Sequence, residues 1–205
     1  MNELYEALKG FTDLPLAVLA FLFAILCKKH ATPKGWATLY AIIGVAATLG
    51  AFVHGVALPP LVGALVWVVL YPLLFEAVRR FGVVFAAAVD HTYKPSPRGV
   101  FIAELLFYLA ALAALFLLLP YQILNYDILL FAIFAVLIFI QTAIRIFRAP
   151  KLSKLTVLFL ALLAIPLLLQ IFESVIPYAV VIEHTFLAVE LYIAYRIART
   201  AADET

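Results

Sequence analysis

Charge is scarce in this chain, and its scarcity excludes the commonest class of protein first. Only 13% of the residues are Asp, Glu, Lys or Arg, while 67% are hydrophobic. Soluble domains run at roughly a quarter charged and half apolar, so a soluble globular fold is excluded. Cysteine is nearly absent: the single Cys27 rules out an internal disulfide framework. It stands beside Lys28 and Lys29 and reads as apolar filler. The basic residues form no continuous patch, which leaves nothing for nucleic acid to bind. The start, M-N-E-L-Y-E-A-L-K, lacks the basic flank, short apolar core and small-residue cleavage site of a leader. It reads as a short amphipathic surface segment ahead of a permanent first span. Repeats, low-complexity tracts and linkers are missing too, so 1–205 is expected to be a single domain.

What fills the chain is apolar runs. A bilayer crossing needs about 20 apolar residues, with a range of roughly 17 to 25. Seven stretches qualify: 13–29, 36–57, 60–80, 99–119, 126–147, 153–175 and 177–198. The third stays apolar beyond Arg80, through F-G-V-V-F-A-A-A-V, and predicts a long helix that projects or bends near Gly82. The fold class expected is all-α: a polytopic bundle of seven transmembrane helices, multi-pass in the cell membrane. Prolines agree, falling at expected turns (Pro59, Pro60, Pro95, Pro120, Pro150 and Pro177) or inside spans as expected kinks (Pro72 and Pro166).

Orientation follows from the basic residues. Of 14 Lys and Arg, all but Lys9 lie on the side of the turns after the first, third and fifth spans and of the C-terminal tail. The positive-inside rule then puts the N-terminus outside and the C-terminus inside. The partners expected are membrane lipids, with a lipid substrate or a small solute as ligand; an oligomer in the membrane is left open.

The polar residues inside spans carry the functional expectations, because ionisable groups in hydrocarbon persist only against partners, water or ions. An inner layer holds Glu76, Arg79, Arg80, Glu104, Gln141 and Arg145, with Glu76 at salt-bridge spacing from both arginines. An outer layer holds Asp13, His54, Asp127, Gln170 and Glu173, together with Glu183, His184 and Glu190 of the seventh span. At about 100° per residue, Glu183, Leu187, Glu190 and Ala194 form one stripe, and His184, Leu191 and Tyr195 the adjacent one. Asp13, in T-D-L-P, also reads as a helix N-cap with proline in the first turn. On the second span Tyr40, Gly44, Ala47 and Ala51 share the side of His54, with Gly50 next to them. Such small residues permit close helix approach in lipid. The expected site therefore lies between the second and seventh spans near the outer face.

Two imidazoles with carboxylates on separate helices could bind Zn²⁺ and leave a position for water. In that reading His54, His184 and Glu183 are metal ligands, and Glu190 and Asp13 complete the set or act as catalytic groups. With a histidine on span two and another on span seven, the chain resembles the seven-span zinc hydrolases that include alkaline ceramidases and adiponectin-receptor-like proteins. That resemblance implies hydrolysis of a lipid amide or ester, with His54 and His184 at matching positions. The sequence departs from the family pattern at Ala188, where the second histidine of H-x-x-x-H would stand, and at Gly50, where a serine would. Proton- or ion-coupled transport of a small solute is the alternative, and a non-catalytic accessory subunit another. Haem between His54 and His184 is disfavoured by the crowding carboxylates.

Overall fold

The computed structural model describes residues 2–56, 58–89, 97–118, 126–148, 154–171 and 179–203. Among them are seven α-helices and no strand: α1 (Asn2–Lys29), α2 (Trp36–Gly55), α3 (Pro60–Val89), α4 (Pro97–Leu118), α5 (Tyr126–Arg148), α6 (Lys154–Ile171) and α7 (Ala179–Asp203). Three contain stretches long and apolar enough to cross a membrane, Gly10–Lys29, Trp36–Gly55 and Leu61–Ala88. The turns expected around Pro95, Pro120, Pro150 and Pro177 lie outside the described residues, as does Glu173. So do the side chains of Asp127, Arg145 and Gln170.

One boundary differs from the sequence expectation, and the long third helix agrees with it. The first helix does not begin at Asp13; the amphipathic segment and the apolar run form one 28-residue helix with Pro15 inside it. Leu, Glu, Ala and Lys before Gly10 are good helix formers, so nothing in the segment interrupts the helix. Asp13 is thus an interior helical residue and not an N-cap. The third helix runs unbroken through Gly82 for 30 residues, about 45 Å at 1.5 Å per residue.

The chain divides into two compact units. The first comprises Met1–Ala57 and Pro150–Thr205 and contains α1, α2, α6 and α7. Helix α1 ends in a Schellman turn: the Thr32 N–H donates to the Cys27 carbonyl (3.1 Å), Ala31 to Lys28 (3.3 Å), and Ala31 takes a left-handed φ of 49°. The chain returns as α2, antiparallel to α1, with Gly10 facing Gly55, Asp13 facing Gly50 and Phe21 facing Gly44. Helix α7 packs on α1 and on α6. It runs parallel to α1, since His184 meets Thr12 and Tyr195 stacks on Phe23 at 5.2 Å, the same offset of 172 residues in both cases (184 − 12 and 195 − 23).

Burial on α1 shows how this unit treats its surroundings. Asp13, Leu16, Ala17, Ala20, Phe23, Ala24 and Cys27 are buried, while Phe11, Leu14, Val18, Leu22 and Ile25 are exposed. Both faces are apolar, and the inward one carries the carboxylate. A helix that is hydrophobic all round and open on one side suits lipid, where tight packing holds helices together in place of water exclusion.

The second unit, Leu58–Ala149, packs α3, α4 and α5 on one another. Its core is Tyr71, Phe75, Ala111, Phe134 and Ile138. Phe75 meets Phe131 edge-on at 5.4 Å and Phe134 at 5.0 Å, geometries that aromatic quadrupoles favour. The Tyr108 hydroxyl ties α4 to the Val68 carbonyl of α3 at 3.2 Å. Beside this core lies the inner ionic group. Arg79 donates from Nε and Nη2 to Glu76, each at 2.7 Å, and Arg80 pairs with the same carboxylate. Glu104 of α4 places Oε2 2.8 Å from Arg79 Nε. That is an ion contact without hydrogen-bond alignment, because the Nε–H points at Glu76. Arg79→Ala should therefore leave two half-buried carboxylates facing one another and cost about 1–3 kcal/mol. Thermal unfolding in detergent measures it, with Arg79→Lys expected to recover part of the loss.

Candidate functional site

The polar residues of the first unit converge on α1. His184, one turn into α7, places Nδ1 2.5 Å from the Thr12 hydroxyl and Nε2 3.6 Å from Asp13 Oδ1. Asp13 and Glu183 are buried and His184 is half-buried. Thr12 donates its own proton to the Leu8 carbonyl at 2.9 Å, one turn back. Its oxygen thus presents lone pairs to the imidazole, which assigns the ring N–H to Nδ1. Nε2 then faces a carboxylate oxygen. With Nε2 bare, two acceptors would oppose one another in a low-dielectric site. At 3.6 Å the two make an ion-pair contact and no hydrogen bond, and a proton on either the imidazole or the carboxyl removes the conflict.

Small residues make this geometry possible. A Cβ at Gly50 would stand 2.9 Å from Asp13 Oδ2, so the α2 backbone approaches closely only because glycine is there. The two oxygens of Asp13 accordingly face different helices, Oδ1 toward α7 and Oδ2 toward α2. Pro15, four residues after Phe11, has no N–H to give the Phe11 carbonyl, so the α1 backbone beside the site is locally relieved of one helical bond.

The structure thus brings Asp13 against His184, two residues that the sequence placed in one outer layer. Thr12 was not singled out by sequence reasoning; its one signal was its position beside an ionisable residue in an apolar helix. His54 is half-buried and adjoins Gly55, where α2 touches Gly10 of α1. That level on α1 is one turn from the Asp13–His184 couple. The site expected between α2 and α7 instead has α1 as its centre. Between α2 and α7 themselves, the Tyr40 hydroxyl donates to the Leu191 carbonyl at 2.8 Å.

Glu183 and Glu190 both turn inward, as the stripe on α7 requires, and Glu190 is only 4% exposed. Among the described residues, no group of three or more His, Cys, Asp and Glu side chains is placed to hold a metal ion. What is assembled is a two-residue acid–base couple with a hydroxyl fixing the ring, suited to holding and passing a proton. No protein-family model matches the chain, and no curated protein or solved structure does.

Proposed function

We propose that the chain is a multi-pass protein of the cell membrane, crossing seven times with its N-terminus outside. In this reading the Asp13–His184 couple is the proton-carrying centre of a proton-coupled small-solute transporter. The observation that carries the reading is the contact of His184 with both Thr12 and Asp13 inside helices whose other faces are exposed and apolar. Ionisable groups at such depth persist when they serve a path or a ligand. Helices of 18 to 30 residues support the crossings, and the one-sided distribution of Lys and Arg supports the orientation.

The physical device is simple. With one proton between them, Asp13 and His184 hold α7 against α1. Loss of that proton leaves two facing acceptors, and gain of a second removes the carboxylate's charge; either change weakens the α1–α7 contact. The glycine contacts keep α1 and α2 together, so α7 is the element free to shift. Reconstituted protein should acidify or alkalinise proteoliposomes along an imposed gradient, read by an entrapped pH dye.

A zinc-dependent lipid hydrolase stands second. It needs a further ligand, His54 or Glu183, to join His184 and Asp13, and such a trio is missing among the described residues. Metal content of the native protein separates the two readings. Stoichiometric zinc, lost in both His54→Ala and His184→Ala, would replace the proton reading. An accessory subunit would show neither flux nor metal.

A further inference from the structure

Glu190 lies deeper along α7 than His184 and makes no hydrogen bond to the groups described above. It is 4% exposed, and its Oε1 is fully buried without a hydrogen-bond partner among the described residues. The parallel offset of 172 residues sets Glu190 level with position 18 of α1, between the Thr12–His184 and Phe23–Tyr195 contacts. There α1 turns Ala17 and Ala20 inward. The antiparallel pairing with α2, in which facing residues sum to 63–65, brings Ala46 to the same level. Its own helix adds Ile193 and Ala194, both buried. The titratable groups around it are Glu183 and His184, about two turns toward the N-terminus of α7, Tyr195 beyond it, Lys154 at the start of α6, and Tyr40 of α2, whose hydroxyl is committed to the Leu191 carbonyl. From α1, Asp13 lies one turn or more away along the helix and is engaged by His184, and Cys27 lies beyond Phe23. Among the described residues Glu190 makes no ion pair with Lys, Arg or His.

A bare carboxylate oxygen without donors, in surroundings of Ala and Ile, is costly, and protonation removes that cost. We infer that Glu190 is a proton-binding site: a carboxylic acid held neutral in the apolar interior of the first unit. This goes beyond the transport reading and does not need it, because its chemistry is read without flux.

A buried acid of this kind has a distinctive reactivity toward an apolar carbodiimide such as dicyclohexylcarbodiimide. The acid proton moves to one carbodiimide nitrogen while the carboxyl oxygen bonds the central carbon. The acyl group then migrates from oxygen to nitrogen, giving a stable N-acylurea with no leaving group. The water-soluble, charged carbodiimide cannot enter lipid and serves as the control.

Full-length protein in liposomes, treated with each reagent and mapped by peptide mass, decides the matter. Expected is a dicyclohexyl-N-acylurea on Glu190, absent with the charged reagent and lost in Glu190→Gln. In difference infrared spectra the band of a protonated carboxyl should also vanish in that variant, whose melting temperature should stay near wild type. Glu190 unmodified by the apolar reagent, with no carboxyl band lost in Glu190→Gln, overturns the inference. So does protection by sodium or potassium, or modification by the charged reagent, since these mean an ion-paired or wet carboxylate. Flux could fail while this labelling succeeds, so the two readings fall separately.

Discussion

His184→Gln should abolish proton movement while leaving a folded protein. The amide can still donate to Thr12, so the ring's structural bond is approximated, but it has no titratable nitrogen to set against Asp13. Flux in proteoliposomes should fall by about two orders of magnitude, the scale on which removing a positioned proton-transfer group acts. Asp13→Asn should do the same from the other side. His184→Ala goes further, because it also strips the Thr12 partner and leaves the buried Asp13 carboxyl facing a void; a stability loss of about 1–3 kcal/mol is expected with it. The double variant His184→Gln, Asp13→Asn should be no worse in flux than either single change, since residues acting as one unit are not additive. Unchanged flux in both single variants would remove the couple from the mechanism.

The second large effect concerns the close approach of α1 and α2. A Cβ at Gly10 would fall on the backbone of α2, against Gly55 N, 2.5 Å from Gly55 Cα and 2.8 Å from the Ala51 carbonyl. Backbone atoms in a helix cannot swing aside as a side chain can, so Gly10→Ala must separate the helices. The expected cost is about 3 kcal/mol or more, the upper end for overpacking, and Gly10→Leu should prevent the first unit from assembling. Because Asp13 is one turn further along, the same separation should lower proton flux.

Other glycines grade the expectation. At Gly44 the obstacle is the Phe21 ring, 2.9 Å away, which is half-open to lipid and can turn outward, so Gly44→Ala should cost little. At Gly63 nothing lies within 4 Å, and alanine should stabilise α3 by up to about 1 kcal/mol through helix propensity. Thermal unfolding of the three variants in one detergent gives the order. Equal melting temperatures for Gly10→Ala and Gly63→Ala would contradict the packing described.

Much of the helical layout was legible because it depends on local composition. Apolar runs broken by proline marked segments that the structure forms as seven helices, and the inward stripe on α7 followed from a period of 3.6 residues. The small-residue side of α2 was legible too, though its partner was not. Periodicity says which face packs and is silent on what packs there. Gly44, Gly50 and Gly55 all meet α1, a helix whose own inward face is built of Ala17, Ala20 and Ala24 and carries little signal. Asp13 was recognised as ionisable, yet T-D-L-P is also a familiar helix start. Only the helix continuing back to Asn2 shows that it lies inside. Thr12 was invisible for a plainer reason: a threonine in an apolar helix usually bonds its own backbone, as this one does with Leu8, and its second role depends on α7.

Nitrogen-15 solid-state NMR of His184 in lipid bilayers tests most directly whether His184 and Asp13 share a proton. Protonated Nδ1 should be seen donating to Thr12, and the Nε2 resonance should move when Asp13 becomes Asn, because the carboxylate no longer faces that nitrogen. An Nε2 signal identical in wild type and Asp13→Asn would show that the two groups do not share a proton, and the proposed centre would be lost.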